Sequence, residues 1–241
     1  MLQPFFARLG IKMGRDALFD LLADAGMLIR KRKRHMRTTY SDHWMRKWPN
    51  QIKNFRPVGP DQLWVSDITY WKTANNDFFI SLTTDAWSHK IVGYHVAESL
   101  AGIQTLKALQ KALSSLQGRS CELIHHSDRG CQYCAAGYVE TLQAHGIRIS
   151  MTESGDPRDN AIAERINGII KDEYLNHYEI GSITQAEAAL ETAVQLYNTE
   201  RPHLSIGMAT PEQIHREPIL TRRLWKNYYP TKKQQVNLSQ D

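Results

Sequence analysis

The alternation of apolar and polar residues along the chain predicts a series of β-strands. Residues 62–72, 78–84 and 90–96 are rich in aromatic and β-branched side chains and are separated by short polar turns. This pattern predicts three strands of an antiparallel meander. Two shorter apolar runs, 122–126 and 147–151, are typical of buried strands.

Segments with apolar residues at helical spacing lie between and after these strands. Helices are predicted over residues 104–116, 135–145, 160–174 and 184–197. Three strands are thus followed by helix, strand, helix, strand and further helices. This order is that of an α/β fold, in which helices cover both faces of a mixed sheet.

The predicted core is flanked by segments of different composition. Residues 1–48 are basic and helical in pattern, with a helix, a Gly turn and a basic run that loosely match a helix-turn-helix; a helical hairpin packed on the core is the alternative. Residues 49–61 are punctuated by Pro and Gly and are predicted to be a linker. The core is predicted to span 62–220, and residues 221–241 form a basic and polar tail.

The net charge of the chain favours a polyanionic binding partner. The chain carries a formal net charge of +5 and has an isoelectric point near 9.1. Basic residues are concentrated in one run, which is a candidate phosphate-binding arm: Arg30, Lys31, Arg32, Lys33, Arg34 and Arg37. A solvated basic surface without a ligand is the alternative interpretation of this run.

Cysteine usage indicates a reducing environment. The three cysteines, Cys121, Cys131 and Cys134, cannot form a disulfide framework and fit a cytoplasmic location. No signal-peptide pattern and no apolar stretch of transmembrane length is present, so no membrane association is expected. Cys131 and Cys134 have C-x-x-C spacing, and a zinc site with the nearby His125 and His126 is an alternative. Strand alternation predicts that one of these histidines points inward and the other outward.

Three acidic residues stand in separate contexts that suggest a shared role. Asp67 interrupts an apolar strand, Asp128 ends a buried strand, and Glu164 lies on a predicted helix. A carboxylate inside an apolar strand must be paired or bound to a cation. Taken singly, each acid has an ordinary explanation: a salt bridge for Asp67, a turn or cap for Asp128 and a surface position for Glu164.

The sequence around these acids forms four blocks, in this order: Trp64–Tyr70 (with Asp67); His126–Gly130 (with Asp128) and Gln132-Tyr133; Asp159-Asn160-Ala161, Glu164 and Lys171; and finally Tyr197-Asn198, Arg201-Pro202-His203 and Thr210-Pro211. Together they resemble the D, D, E motif and the closing motif of the integrase-core transposases of bacterial insertion sequences, relatives of the retroviral integrases. Cys131 departs from this pattern, since the family often has Ser there. The resemblance is to the downstream-frame protein of the two-frame insertion sequences.

This resemblance implies a fold and an activity. The implied fold is ribonuclease H-like, a mixed sheet with flanking helices, preceded by a small basic helical region. The implied activity is DNA cleavage at an element end, which frees a 3′-hydroxyl that then attacks a second phosphodiester. Asp67, Asp128 and Glu164 are expected to hold Mg²⁺, as two ions that Mn²⁺ can replace.

The resemblance also implies partners. Double-stranded DNA is expected as substrate, with an upstream-frame helix-turn-helix protein, or a fusion to it, reading the element ends. Since two ends must be joined, further copies of the chain are expected on DNA. Lys171 follows Glu164 by seven residues, or two helical turns, and is expected to face the same way and contact DNA.

Two other functions fit the same residues. A ribonuclease H-like nuclease would use the same acids but would only hydrolyse nucleic acid. A non-catalytic DNA-binding regulator of element ends predicts a decayed triad, whereas all three acids are present.

Several polar residues near the blocks have more local interpretations. Turn chemistry is sufficient to explain Asp85. Asp159 and Asn160 are expected to cap the helix that carries Glu164 and to position it. Arg201 and His203 either contact DNA or brace the catalytic helix, and the sequence leaves both alternatives open.

Overall fold

A five-stranded mixed sheet lies at the centre of the computed structural model, which describes residues 3–28, 42–74, 76–116, 122–153 and 157–217. The strands, in chain order, are β1 Leu63–Lys72, β2 Asp77–Asp85, β3 Ile91–Ala97, β4 Ile124–Ser127 and β5 Arg148–Met151. Their order across the sheet is β3-β2-β1-β4-β5. The predicted antiparallel meander β1–β3 is confirmed, and β4 and β5 run parallel to β1.

Eight α-helices are found in the described ranges: α1 Gln3–Arg8, α2 Arg15–Asp24, α3 Gly102–Ser115, α4 Cys131–Cys134, α5 Ala136–Ala144, α6 Ala161–Ile169, α7 Ile183–Thr199 and α8 Pro211–Arg216. The predicted α/β fold is therefore confirmed. The helix predicted over 160–174 is α-helical only as far as Ile169, since a π-helical segment, Ile170–Leu175, continues it. No helix in the described ranges has both the length and the apolar character needed to cross a bilayer.

Two apolar cores cover opposite faces of the sheet because successive strand residues point to opposite sides. On one face Trp71, Phe78 and Ile80 pack with residues of α6, the π-helical segment and α7. On the other face Trp64 and Ile68 pack with residues of α3 and α5. Central strands covered on both sides explain why the strand segments read as nearly continuous apolar runs.

Helix α3 packs unusually close to β3 at Gly93. A Cβ atom at this position would lie 2.2 Å from the carbonyl oxygen of Ala108 and 2.7 Å from the Cβ of Ala112. Only a residue without a side chain permits this distance. The strand glycine is therefore explained by the approach of the helix backbone.

The closing part of the chain is fastened to the start of β3. The amide of Asn198, near the end of α7, accepts a hydrogen bond from the Ile91 N–H and donates one to the Ile91 carbonyl, both at 3.0 Å. The hydroxyl of Tyr197 donates to the carbonyl of His89 at 3.0 Å. The polar residues of the closing block thus fix α7 against the edge of the meander.

The helical region before the core is only partly described. Helices α1 and α2 agree with the helical pattern of residues 1–48, but the basic run 30–37 lies outside the described residues. Cys121 and the tail 221–241 also lie outside them. The helix-turn-helix interpretation and the DNA-binding role of the run therefore stay predictions.

Candidate active site

The three acids come from three elements that meet at one end of β4. Strand β4 runs parallel to β1 with Ser127 opposite Ser66, so Asp128, the next residue after β4, lies near Asp67 in β1. Glu164 lies in the first turn of α6, which packs on β1. Glu164 is exposed, and both aspartates are partly exposed.

Burial and nearby negative charge raise the pKa of Asp67 to about 7. Loss of hydration is the largest cause, followed by the charge of Asp128, and Glu164 adds a smaller repulsion. Hydrogen bonds from Asn167 and from the Ile68 backbone N–H lower the pKa in part. Crowded carboxylates of this kind take up a proton or a cation. Their hard oxygen atoms fit a divalent metal ion.

Two asparagines tie α6 to β1 on either side of Asp67. Asn167 Nδ2 donates to Asp67 Oδ2 at 2.8 Å, and Asn160 Nδ2 donates to the Ser66 carbonyl at 2.9 Å. The predicted cap at Asn160 is wrong, because its side chain makes no cap hydrogen bond and turns to the sheet instead. Asn167 was missed by sequence reasoning. Its position one turn after Glu164 was the available signal.

His126 joins β4 to the segment that leads into α6. Its Nε2 lies 3.0 Å from the carbonyl oxygen of Asp159, so this nitrogen carries the proton and donates. Its Nδ1 consequently accepts from the hydroxyl of Ser150 at 2.9 Å. Burial lowers the pKa of His126 to about 4, and the ring is neutral. The start of α6, the helix that carries Glu164, is therefore held by a neutral histidine two residues before Asp128.

His125 lies on the opposite face of β4. Its Nε2 is 2.8 Å from the Ser66 hydroxyl and 3.0 Å from the Tyr138 hydroxyl, and burial lowers its pKa to about 3. The prediction that one of the two histidines points outward is wrong, since both are buried. The alternation itself holds, but helices and loops cover both faces of this central strand.

The loop after β4 contains Asp128 and the two cysteines. Asp128 Oδ1 accepts the backbone N–H of Gly130 at 2.9 Å, which closes a turn at the strand end. The Cys134 sulfur packs 3.8 Å from the Met151 sulfur, and burial raises the pKa of its thiol to about 11. No group of metal-spaced ligands in the described ranges includes Cys131 or Cys134, so the zinc alternative finds no support there.

Lys171 is buried, in contrast to Glu164. Its Nζ donates to the carbonyl of Tyr70 on β1 at 3.1 Å. Asn167, which lies between Glu164 and Lys171, also bonds to β1. That Lys171 and Glu164 face the same way and that Lys171 contacts DNA both stay predictions. The hydrogen bonding of the helix changes from α to π at Ile170, one residue before Lys171.

Arg201 braces the π-helical continuation of α6. Its Nε and Nη2 donate to the two carboxylate oxygens of Glu173, in the π-helical segment, both at 2.7 Å. Arg201 is 6% exposed, and its Nη1 also lies within 3.3 Å of the ring of His203. Of the two alternatives for Arg201 and His203, the geometry is that of the brace.

A second polar cluster lies at the other end of β1. Asp61, Asp85 and His215 bring their ligand atoms within 4.8 Å of one another, a spacing that fits a divalent ion. However, Asp85 already accepts hydrogen bonds from the Ser88 N–H and hydroxyl and from the Asp61 N–H, at 2.7–2.8 Å. These donors satisfy the buried carboxylate, in agreement with the predicted turn role. Sequence reasoning did not identify Asp61 or His215, which are distant in sequence.

Comparison with known proteins places this site in a family. Two family models described as "Integrase core domain" match residues 57–157 and 145–211. The uncharacterized 31 kDa protein of insertion element IS600 from Shigella sonnei is 34% identical over 212 residues, which is 87% of this chain and 78% of the relative. The transposase for insertion sequence element IS629 from the same species is 32% identical, over 86% of this chain and 69% of its own length.

Solved structures agree with the fold. The catalytic core domain of HTLV-2 integrase, in complex with magnesium, superposes with a TM-score of 0.53 at 22% identity. The match covers 66% of this chain and 99% of that domain. The ribonuclease H-like fold expected from the sequence is thereby confirmed. The chain belongs to the integrase core family and is a DNA transposase of the insertion-sequence type, a polynucleotidyl transferase.

Proposed function

We propose that this chain is the catalytic subunit that cuts DNA at an element end and joins the freed 3′-hydroxyl to a second phosphodiester. One observation carries the proposal: three carboxylates from β1, the end of β4 and α6 interact, and the pKa of the most buried, Asp67, is raised to about 7. Such a cluster is unfavourable without a countercharge. The three carboxylates are suited to bind divalent cations that in turn bind a DNA phosphate.

Asp67, Asp128 and Glu164 would hold divalent metal, and we propose Mg²⁺, as two ions that Mn²⁺ can replace. The donor set consists of hard carboxylate oxygens, and partial exposure leaves room for water and phosphate oxygens. When bound, such a pair of ions activates the attacking oxygen and stabilises the leaving oxygen of an in-line displacement. The structural relative bound to magnesium supports this choice of ion.

The surrounding residues hold the acids in place. Asn167 donates to one oxygen of Asp67, and the backbone N–H of Ile68 also donates to this carboxylate. His126 and Asn160 fix the start of α6, and therefore Glu164, relative to β4 and β1. These hydrogen bonds preorganise the carboxylates and reduce the reorganisation that metal and substrate binding require.

Double-stranded DNA is the proposed substrate, and at least two copies of the chain are expected on it because two ends must be joined. The basic run Arg30–Arg37 stays a predicted phosphate-binding arm. A DNA contact by Lys171 also stays a prediction, and it would require the ammonium group to leave the Tyr70 carbonyl. An upstream-frame helix-turn-helix protein, or its fusion, is the proposed reader of the element ends, in the bacterial cytoplasm.

The proposed chemistry can be tested by reversing strand transfer. A branched DNA that mimics the joined product presents a 3′-hydroxyl already in place and reduces dependence on an end-reading partner. Wild-type protein with Mn²⁺ is expected to resolve this DNA, whereas Glu164→Gln is expected to be inactive and to bind the DNA with nearly unchanged affinity. The matched control is Glu140→Gln, at an exposed position of α5.

Two outcomes would contradict the proposal. Wild-type activity in Glu164→Gln would remove Glu164 from the site. Cut strands without any re-joined strand, from an active wild-type protein, would favour the ribonuclease H-like nuclease instead.

A further inference from the structure

An exposed tryptophan stands beside the active-site loop. The indole of Trp44 is 92% exposed, the highest value among the large apolar side chains of the described residues. Its neighbours in residues 42–48 are anchored, as the contacts below show. A large aromatic ring held out into solvent by a fixed backbone is characteristic of a binding surface.

The anchors connect this segment directly to the residue after Asp128. His43 Nε2 lies 2.8 Å from the carbonyl oxygen of Arg129, to which it donates a hydrogen bond. Met45 and Trp48 pack against the apolar core on the α3 and α5 face of the sheet. Trp44 is thus the projecting residue of a segment whose flanking side chains are held on both sides.

Cationic residues follow Trp44 directly in the chain. Arg46 is exposed and lies over the ring of Trp48, 5.3 Å from its centroid, and Lys47 is exposed and donates to the His43 carbonyl at 3.0 Å. The third cation, Arg129, is joined to this segment by the hydrogen bond between its carbonyl oxygen and His43.

Arg129 also offers an unused donor. Its Nε is buried and has no hydrogen-bond partner among the described residues. A buried donor of this kind is costly unless a ligand satisfies it. Arg129 directly follows Asp128, so this donor belongs to the loop that carries one of the proposed catalytic acids.

We propose that Trp44, Arg46, Lys47 and Arg129, here named the linker platform, bind a DNA strand beside the active site, and that Trp44 stacks on an unpaired base. The proposal rests on the proposed function, since it places the platform on the same DNA. Cations that track the backbone, together with an aromatic ring that stacks on bases, are the two components of surfaces that bind single strands. Stacking on a base would cover the exposed apolar ring of Trp44. The neighbouring cations favour a nucleic acid over a second protein chain as the partner.

The test compares two labelled DNA probes in EDTA, so that binding is measured without chemistry. One probe is a blunt duplex, and the other is the same duplex with an unpaired tail. Trp44→Ala in the full chain is expected to weaken binding of the tailed probe by roughly 10-fold and of the blunt probe by less than about twofold, since stacking on one base is worth ~1–3 kcal/mol. Trp44→Phe is expected to restore most of the difference, because a phenyl ring also stacks.

Two further measurements keep a structural effect separate. Tyr178→Ala, which removes another exposed aromatic ring (48% exposed), is the matched control and should leave both affinities unchanged. Tryptophan fluorescence should be quenched by the tailed probe in wild type and less so in Trp44→Phe. Thermal unfolding should be the same in wild type and the two Trp44 variants, because the ring of Trp44 buries almost no surface.

Equal weakening on both probes, or none on the tailed probe, would overturn the stacking role. Loss of self-association of the free protein in Trp44→Ala, with DNA binding intact, would assign the surface to a second copy of the chain instead. The proposed function is judged separately, by strand-transfer reversal in wild type. The two proposals can therefore fail independently. Wild-type protein could reverse strand transfer while Trp44→Ala binds the tailed probe normally, or Trp44→Ala could bind it weakly while wild-type protein shows no strand-transfer reversal.

Discussion

Asp67 in its ionised form destabilises the metal-free fold, and the same carboxylate is the group proposed to bind a cation. It occupies a strand position next to the apolar core, and two other acids repel its negative charge. One neutral amide, that of Asn167, offsets only part of this cost. Folding in the absence of metal therefore favours the protonated carboxyl, and a bound cation would reverse this preference.

At this scale we predict that Asp67→Asn alters the pH dependence of stability. The folded pKa of about 7 lies above the ordinary value of 3.8, so the stability that the proton contributes is complete below about pH 4 and is lost as the pH rises through about 7. The metal-free variant should therefore gain stability relative to wild type between about pH 5 and pH 8, by a few kcal/mol at most.

Urea unfolding in EDTA at both pH values measures this difference. Asp20→Asn, at an exposed position of α2, is the matched control. If the difference in unfolding free energy between Asp67→Asn and wild type does not change with pH, the raised pKa of Asp67 is contradicted.

At the scale of elements, α6 and its π-helical continuation are held at three points along their length. His126 and Asn160 hold its start, Asn167 holds its middle, and Arg201 grips the π-helical continuation through Glu173. Within the closing block, Arg201 is thus a brace for the continuation of α6, whereas Tyr197 and Asn198 fasten α7 to the start of β3.

We predict that Arg201→Lys destabilises the fold and slows strand transfer without weakening DNA binding. An ammonium group cannot make both hydrogen bonds to Glu173, so the variant should lose about 1–2 kcal/mol of unfolding free energy. Arg201→Ala should lose about 2–3 kcal/mol, because the partly exposed carboxylate of Glu173 loses both charged hydrogen bonds from Arg201.

Denaturant unfolding measures these losses, with Arg216→Lys as control. Arg216 also pairs with a glutamate, Glu212, but is 77% exposed, so its replacement should cost less than about 0.5 kcal/mol. Equal effects at Arg201 and Arg216, or DNA affinity that falls with Arg201→Lys, would argue against the brace.

At the scale of the whole molecule, the site exists only in the folded chain, since its three acids come from separate elements. A ligand that binds only the folded state stabilises it. We predict that Mg²⁺ raises the melting temperature of wild type by a few degrees at saturating concentration. Asp67→Asn should lose this shift, while its DNA affinity stays near that of wild type.

The same measurement separates the two acidic clusters. His215→Gln removes a ligand from the Asp61–Asp85–His215 group and should keep the full Mg²⁺ shift. A shift that persists in Asp67→Asn but disappears in His215→Gln would place the ion at the other end of β1.

The sequence by itself determined the strand meander, the order of strands and helices, and the three acids. These features depend on local periodicity and on short motifs, which are written in neighbouring residues. It also located the blocks that carry the family resemblance. The turn role of Asp85 was likewise predictable, because Ser88, which supplies two of its donors, is only three residues away.

Only the tertiary structure decided what surrounds those acids. The Asn167–Asp67 and Lys171–Tyr70 hydrogen bonds each join residues at least 100 positions apart. The π-helical segment Ile170–Leu175 was likewise not predicted from the sequence. His125 and His126 are both buried because helices and loops cover both faces of β4, which a strand pattern cannot reveal. Side-chain hydrogen bonds depend on atoms that approach within about 3 Å, and only the packed fold sets such distances.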